Sequence, residues 1–310
     1  MVEPIQSFCH VGLIHCMAFP EVMKGEGPIL ETLEKILLDD YFSAVELTWI
    51  KDPAVRARAA SMLEQAHVDV VFAGQPPLLS QKLDLNAPDA AARKKAVDQC
   101  KASVDQAYEL GARIVAVLSG PDSGDADRPA AKARLVDSLQ EICEYAGEKQ
   151  RDYLLAVSLE TFDYNVDKKC LVGPTTLAAE VADAVKAKHS NFGLTIDLSH
   201  LPLLNETPEE MVIASIDHLI HVHIGNCLTS ERGHAAYGDQ HPRFGIAGGE
   251  NDVEQVQKFL AALIYAGYFK KNTPTAMPVV SFEVKPLPGE SSDLVIANAK
   301  RVLSEAWAKL

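Results

Sequence analysis

The sequence has no CxxC pair: Cys9, Cys16, Cys100, Cys143, Cys170 and Cys227 are scattered along 310 residues. A chain of this length needs no disulfide framework, so a reducing cytoplasm is the expected compartment. Basic residues are also scarce. Twenty-nine Lys and Arg face 43 Asp and Glu, a formal charge of −14, which repels phosphate backbones and anionic headgroups and argues against nucleic acid or a membrane surface as partner. No stretch approaches the roughly 20 uninterrupted apolar residues of a spanning helix. The amino-terminal MVEPIQSFCHVGLIHCMAFPE lacks a cationic n-region, and His10 and His15 interrupt its apolar run, so it reads as a first strand rather than a signal peptide. No GxGxxG follows that strand, which counts against a doubly wound dinucleotide fold. No low-complexity stretch or Ser/Gly-rich linker marks a second domain.

What the chain does contain is alternation. Eight β-rich runs (HVGLIHCMAF, AVELTW, VDVVFA, ARIVAVLS, YLLAVSLE, FGLTID, LIHVHI and PVVSFEV) are separated by segments of helical periodicity, from ILETLEKILLDD near the start to SDLVIANAKRVLSEAWAKL at the end. Several of these segments open on Pro or Ser/Thr/Asp, as helices do. Continuous apolar strands alternating with helices predict an α/β protein, a single (β/α)₈ TIM barrel over residues 1–310. One connection is too long for an ordinary βα loop: residues 226–252, NCLTSERGHAAYGDQHPRFGIAGGEND, after the seventh strand. Loops of that length in compact domains are usually functional.

Catalytic groups of such barrels project from the carboxyl ends of the strands. Strand five ends on Glu160, strand six on Asp197, strand seven offers His223 and strand eight Glu283. Each alone reads as a solvated rim residue or a hydrogen-bonded core histidine. Together, three converging carboxylates without a basic residue on those strand ends would repel one another unless a cation neutralised them. Lys51 and Lys285 lie past the strand tips. A divalent metal on Glu160, Asp197, His223 and Glu283 is the simpler neutraliser. This oxygen-rich set with open positions suits Mn²⁺ first, then Mg²⁺ or Co²⁺, better than a closed tetrahedral zinc. Open positions would receive a substrate's vicinal oxygens, and the metal would acidify the adjacent C–H. His221 and His223 point to the same side of a regular strand, and spacing alone does not choose between them.

Glu160, Asp197 followed by His200, His223 in HVHIGN and Glu283 in SFEVK resemble the ligands and associated histidine of the xylose isomerase-like barrel superfamily. That group includes sugar isomerases and epimerases as well as endonuclease IV. The resemblance selects His223 over His221. It implies a metal-dependent sugar isomerase or epimerase in which Glu160 and Glu283 act as base and acid and His200 binds a substrate oxygen. Two departures count against a ketohexose. The further Glu expected after the first ligand is replaced by Val166 and Asp167, and the Lys-Asp pair after the strand-seven His by Gly225 and Asn226.

GDQHPRFG carries Asp239, His241 and Gly245 in the order of an endonuclease IV motif, and with His200 these could build a second ion site. The strand-three and strand-four histidines of that family are absent from VVFAGQPP and VAVLSG, which argues against a three-metal repair enzyme. Asp239 and His241 are instead candidates to touch substrate, against the plainer alternative of a turn-capping Asp and an exposed His. Arg243 of the same loop, Glu46, Trp49 and Gln75 are further substrate candidates. Trp49 would stack on a sugar or an aromatic aglycone, or else anchor the core. His15 is expected to face the pocket.

The expected partner is a small carbohydrate, and the expected assembly a homo-oligomer. The same enolate chemistry serves elimination, as in the large subunit of C-glycoside deglycosidases, which cleaves 3-oxo-glycosides with a small β-rich partner subunit. That lyase reading stands second. A non-catalytic sugar-binding barrel stands third.

Overall fold

The computed structural model describes residues 3–310. Its elements run β1 (His10–Ile14), α1 (His15–Ala18), α2 (Ile29–Leu37), β2 (Ala44–Leu47), α3 (Pro53–Ala66), β3 (Asp69–Ala73), α4 (Gln75–Ser80), α5 (Ala90–Glu109), β4 (Ile114–Leu118) and α6 (Arg128–Glu148). They continue with β5 (Ala156–Glu160), α7 (Thr175–Lys186), β6 (Phe192–Asp197), α8 (His200–Leu204), α9 (Pro208–Ser215), β7 (Leu219–Gly225), α10 (Val253–Tyr265), β8 (Val279–Glu283) and α11 (Ser292–Ala308). The strands pair in parallel in chain order, and β8 returns to β1 to close the barrel. The expected (β/α)₈ architecture is therefore observed.

Local chemistry explains the helix boundaries. Asp52 accepts the Ala54 N–H at 2.8 Å just before Pro53 opens α3, and Asp89 accepts the Ala92 N–H at 2.7 Å at the start of α5. Reciprocal capping boxes, Thr207 with Glu210 and Asp252 with Gln255, open α9 and α10. The first expected strand is shorter than HVGLIHCMAF: it stops at Ile14, and His15 begins the helical turn α1. There His15 Nε2 meets Thr32 Oγ1 of α2 at 2.7 Å, so the imidazole faces the helix layer and not the pocket.

Along each strand, alternate residues point outward to the helices or inward to the barrel. Val45, Phe72, Val115, Val157, Ile196 and Phe282 belong to the outer core. Val71, Ile114 and Ala156 form a small separate apolar cluster on inward positions. Higher in the barrel the inward positions turn polar: Glu46, Ser158, Thr195, His221 and Ser281 are all 0% exposed. This polar layer supports the carboxyl-terminal rim, where register pairs Asp197 with His223 and Gly225 with Glu283.

Candidate functional site

The last residue of three strands and an inward residue of β7 meet at this rim. Glu160, Asp197, His223 and Glu283 each offer one ligand atom, and these four atoms lie within 4.8 Å of one another. His223 Nδ1 stands 3.1 Å from Glu160 Oε1 and 3.0 Å from Glu283 Oε2. Among the described residues no Lys or Arg pairs with any of the three carboxylates; their charged neighbours are the imidazoles of His200, His223 and His241. Lys51 is engaged with Glu26 at 2.8 Å, so it is not a counter-charge here.

Each group is held from behind. Gln75, the first residue of α4, donates Nε2–H to Glu160 Oε2 at 2.6 Å. Asp197 accepts the Ser199 backbone N–H at 2.8 Å and the Ser199 hydroxyl. Glu46 accepts from both β7 histidines, His221 Nε2 at 2.6 Å and His223 Nε2 at 3.1 Å. With Nε2–H committed to Glu46, the Nδ1 of His223 is directed at Glu160 and Glu283. A histidine ligand whose other nitrogen donates to a carboxylate is the usual arrangement around a bound metal. Burial works against charge on His223, but the Glu46 and Glu160 carboxylates outweigh it and raise its pKa well above the ordinary imidazole value. A cation at Nδ1 would replace that proton.

The donor set fits one divalent ion. Ligands bonded to such an ion at about 2.1 Å lie at most about 4.2 Å apart, and the four donor atoms here lie within 4.8 Å of one another. The mixture of three carboxylates and one imidazole suits a moderately hard cation with room for further oxygens.

A second group lies beside the first. Asp239, from the long loop, accepts from His200 Nε2 at 3.1 Å and lies 2.9 Å from His241 Nε2 and 3.2 Å from Lys168 Nζ. His241 Nε2 is also 3.3 Å from Glu283 Oε1. Burial disfavours charge on these imidazoles, but neighbouring carboxylates win. Asp239 and Asp197 push His200 up to about 10, and Glu283 and Asp239 push His241 up to about 9. The Nδ1 atoms of both rings are buried and have no hydrogen-bond partner.

The long loop is held in place by Asn226, whose Oδ1 accepts the N–H groups of Cys227 at 2.9 Å and Asn251 at 2.7 Å. Its Nδ2 donates to the Arg243 carbonyl at 3.1 Å. A Cβ at Gly225 would lie 2.6 Å from the Glu283 carbonyl oxygen and 3.0 Å from His241 Nδ1. Glycine at this position thus makes room for the loop's histidine.

These groups open onto a cavity of about 680 Å³. Glu160, His223, Glu283, Gln75, Asp239 and His241 line it, as does Lys285. Several expected substrate residues lie elsewhere. Glu46 is fully buried beneath His221 and His223, one layer too deep to reach a ligand. Trp49 donates Nε1–H to the Met23 carbonyl at 3.1 Å and packs on the core, outside the cavity wall. Arg243 turns away to Glu290, with Nε at 2.9 Å from its carboxylate. His200 packs under Phe162, ring centroids 4.7 Å apart, and does not line the cavity. His241 is not an exposed loop residue but 2% exposed, held at a left-handed φ of 50°.

Sequence reasoning missed Lys168. The Asp163 carboxylate accepts the N–H groups of Val166, Asp167 and Lys168 at 2.5–2.7 Å, a turn that swings Lys168 into the cavity wall. The clue in the sequence was an Asp two residues past the end of strand five's Glu-Thr, placed to organise the loop.

Three solved structures share the fold over nearly the whole chain. A D-tagatose 3-epimerase-like protein is 19% identical with a TM-score of 0.69, covering 97% of this chain and 99% of its own. The IOLI protein with a binding zinc atom is 16% identical with a TM-score of 0.73, covering 97% and 98%. The 3-keto-D-glucoside 4-epimerase YcjR from E. coli is 14% identical with a TM-score of 0.61, covering 95% and 98%. No curated protein matches the chain in sequence. The xylose isomerase-like TIM barrel family matches residues 39–280, and the chain belongs to that family.

Proposed function

We propose that this protein is a divalent-metal-dependent enzyme that moves a proton at the carbon next to a carbonyl of a sugar or polyol derivative, producing an isomer or epimer. The observation that carries the reading is the pair Glu160 and Glu283, both within 3.1 Å of His223 Nδ1 at the floor of a ligand-sized cavity. Glu160, Asp197, His223 and Glu283 would hold the ion, with Mn²⁺ as the expected metal. When bound, the ion polarises the substrate carbonyl and stabilises the negative charge that develops on its oxygen.

The chain's own groups supply the rest. Glu283 is the more open of the two carboxylates, its side chain 12% exposed against 1% for Glu160, and it lines the cavity as the group that takes or returns a proton. His241 Nε2, 3.3 Å from Glu283 Oε1, holds that carboxylate in position. Glu160, with Oε2 held by Gln75 and Oε1 beside His223 Nδ1, is the group for the opposite proton transfer. Proton removal from one face and delivery to the other inverts the carbon; return to the neighbouring carbon, with the hydroxyl proton passing to the former carbonyl oxygen, isomerises it. Lys168 and His241 line the cavity wall, each paired with Asp239.

Two of the structural neighbours, the D-tagatose 3-epimerase-like protein and the 3-keto-D-glucoside 4-epimerase, are named for carbonyl sugars and support the same class. The test is solvent exchange. Protein loaded with Mn²⁺ is incubated in deuterated water with ketoses, inosose-type ketones and 3-oxo-glycosides, and deuterium at the α-carbon is read by NMR. Incorporation that disappears in Glu283→Gln is expected. No incorporation from any member of the panel overturns the proposal.

A further inference from the structure

One wall of the cavity does not suit a free sugar. Its lining includes Ile14, Met17, Met23, Pro76, Leu79 and Phe162. Leu79 is 41% exposed, although aliphatic side chains of this size are normally covered. Met17, Met23 and Pro76 are likewise only partly buried. These side chains come from three separate places in the chain: the segment after β1, the helix α4, and the residues following β5. They line the same cavity as Glu160, His223 and Glu283.

Size points the same way. A volume of about 680 Å³ falls in the range of sites that take drug-sized ligands, and a hexose seated on Glu160 and Glu283 fills only the polar end. Gln75 also lines the cavity and is 7% exposed, with Nε2 engaged by Glu160 and Oε1 buried without a partner. A free sugar has hydroxyls all round, and burying them against methionine, proline and leucine would leave them unpaired at a cost in binding. An aromatic ring or short aliphatic group meets no such penalty and removes the exposed apolar surface from water.

We infer that the substrate is a carbonyl sugar or cyclitol bearing an apolar substituent of about the size of a phenyl ring, seated against Met17, Met23, Pro76, Leu79 and Phe162. The inference rests on the proton-transfer reading only for which end of the ligand meets the carboxylates; the apolar wall is an independent observation.

The experiment compares the methyl and phenyl glycosides of 3-oxo-glucose on the Mn²⁺-loaded protein, by calorimetry for affinity and by deuterium incorporation for reaction. The phenyl compound is expected to bind about tenfold tighter or more. Leu79→Ser combined with Met23→Ser is expected to bring the affinity ratio back toward one. Leu294→Ser, an exposed leucine on α11 remote from the cavity, keeps the ratio and controls for general effects of the substitution. Equal affinities for the two glycosides, or no binding of the phenyl compound, overturn the inference. So does a ratio unmoved by the double variant. The two ideas fail separately: tight phenyl binding without deuterium incorporation keeps the apolar subsite and removes the proton-transfer reading. Incorporation at equal affinity does the reverse.

Discussion

Glu46 is the residue whose replacement tests the architecture of the site most sharply, because it touches no ligand yet holds two histidines. Its carboxylate is 0% exposed and accepts hydrogen bonds of 2.6 and 3.1 Å from His221 and His223. Burial pushes its pKa up, but the two imidazoles overcome this and hold the carboxyl below the usual glutamate range. Glu46→Ala strands both Nε2–H donors, and breaking a buried charge pair of this kind costs about 3–5 kcal/mol. Glu46→Gln is gentler and more informative. An amide offers one acceptor and one donor, so one imidazole keeps its bond while the other must move its proton to Nδ1. In His221 that atom is buried without a partner; in His223 it is the atom facing Glu160 and Glu283. One unsatisfied buried donor costs about 1–3 kcal/mol, and loss of the carboxylate behind a metal-binding histidine lowers metal affinity about 10–100-fold. The assays are urea unfolding and calorimetric Mn²⁺ titration of Glu46→Gln beside the wild type. A variant with unchanged midpoint and unchanged Mn²⁺ affinity refutes the proposed support of His223 by Glu46.

Other consequences follow from particular contacts. Glu283→Gln should fold normally, by circular dichroism and unfolding midpoint, and lose turnover by about 10²-fold or more, the usual scale for a missing acid-base group. Asn226→Ala removes the acceptor for the Cys227 and Asn251 N–H groups, and limited proteolysis should cut within 226–252 faster than in the wild type. Unchanged cleavage there would mean that the loop is held by other contacts. Arg243→Gln, remote from the cavity and paired with Glu290, should leave kcat/KM unaltered; a large loss would return Arg243 to the substrate site. His15 supplies a pH dependence: burial lowers its pKa to about 3, so the unfolded chain takes up a proton below about 6.5 that the fold refuses. Stability from this group is complete above that value and falls with pH, by about 2 kcal/mol at pH 5. Urea midpoints of His15→Gln should fall less between pH 7.5 and pH 5 than those of the wild type, and parallel declines would argue against this origin.

The strands were legible because parallel barrel strands are buried on both faces and read as short apolar runs between amphipathic helices. The strand ends were legible for the same reason: Glu160, Asp197 and Glu283 each terminate such a run, and that position is the rim. Depth within the barrel was harder to read. Glu46 lies one residue before the end of β2, yet it pairs with Ile14 and Val71 in register and meets His221, a layer below the ligands. Inward alternation identifies its face but not its height, which depends on barrel tilt and shear. Trp49 and Arg243 depend on tertiary partners, the Met23 carbonyl and Glu290, far from them in sequence. Lys168 enters the cavity only because Asp163 organises the loop before it, a local hydrogen-bonding pattern that composition does not announce. The length of the 226–252 loop pointed to function, and the loop does bring Asp239 and His241 to the rim.

The proposed chemistry requires a divalent ion held by Glu160, Asp197, His223 and Glu283. Metal analysis by mass spectrometry after loading with Mn²⁺ and gel filtration tests this directly. One equivalent per chain in the wild type is predicted, with loss of the ion in the folded Asp197→Ala and Glu160→Ala variants. A wild type that retains no stoichiometric ion, or variants that retain it undiminished, would contradict the account.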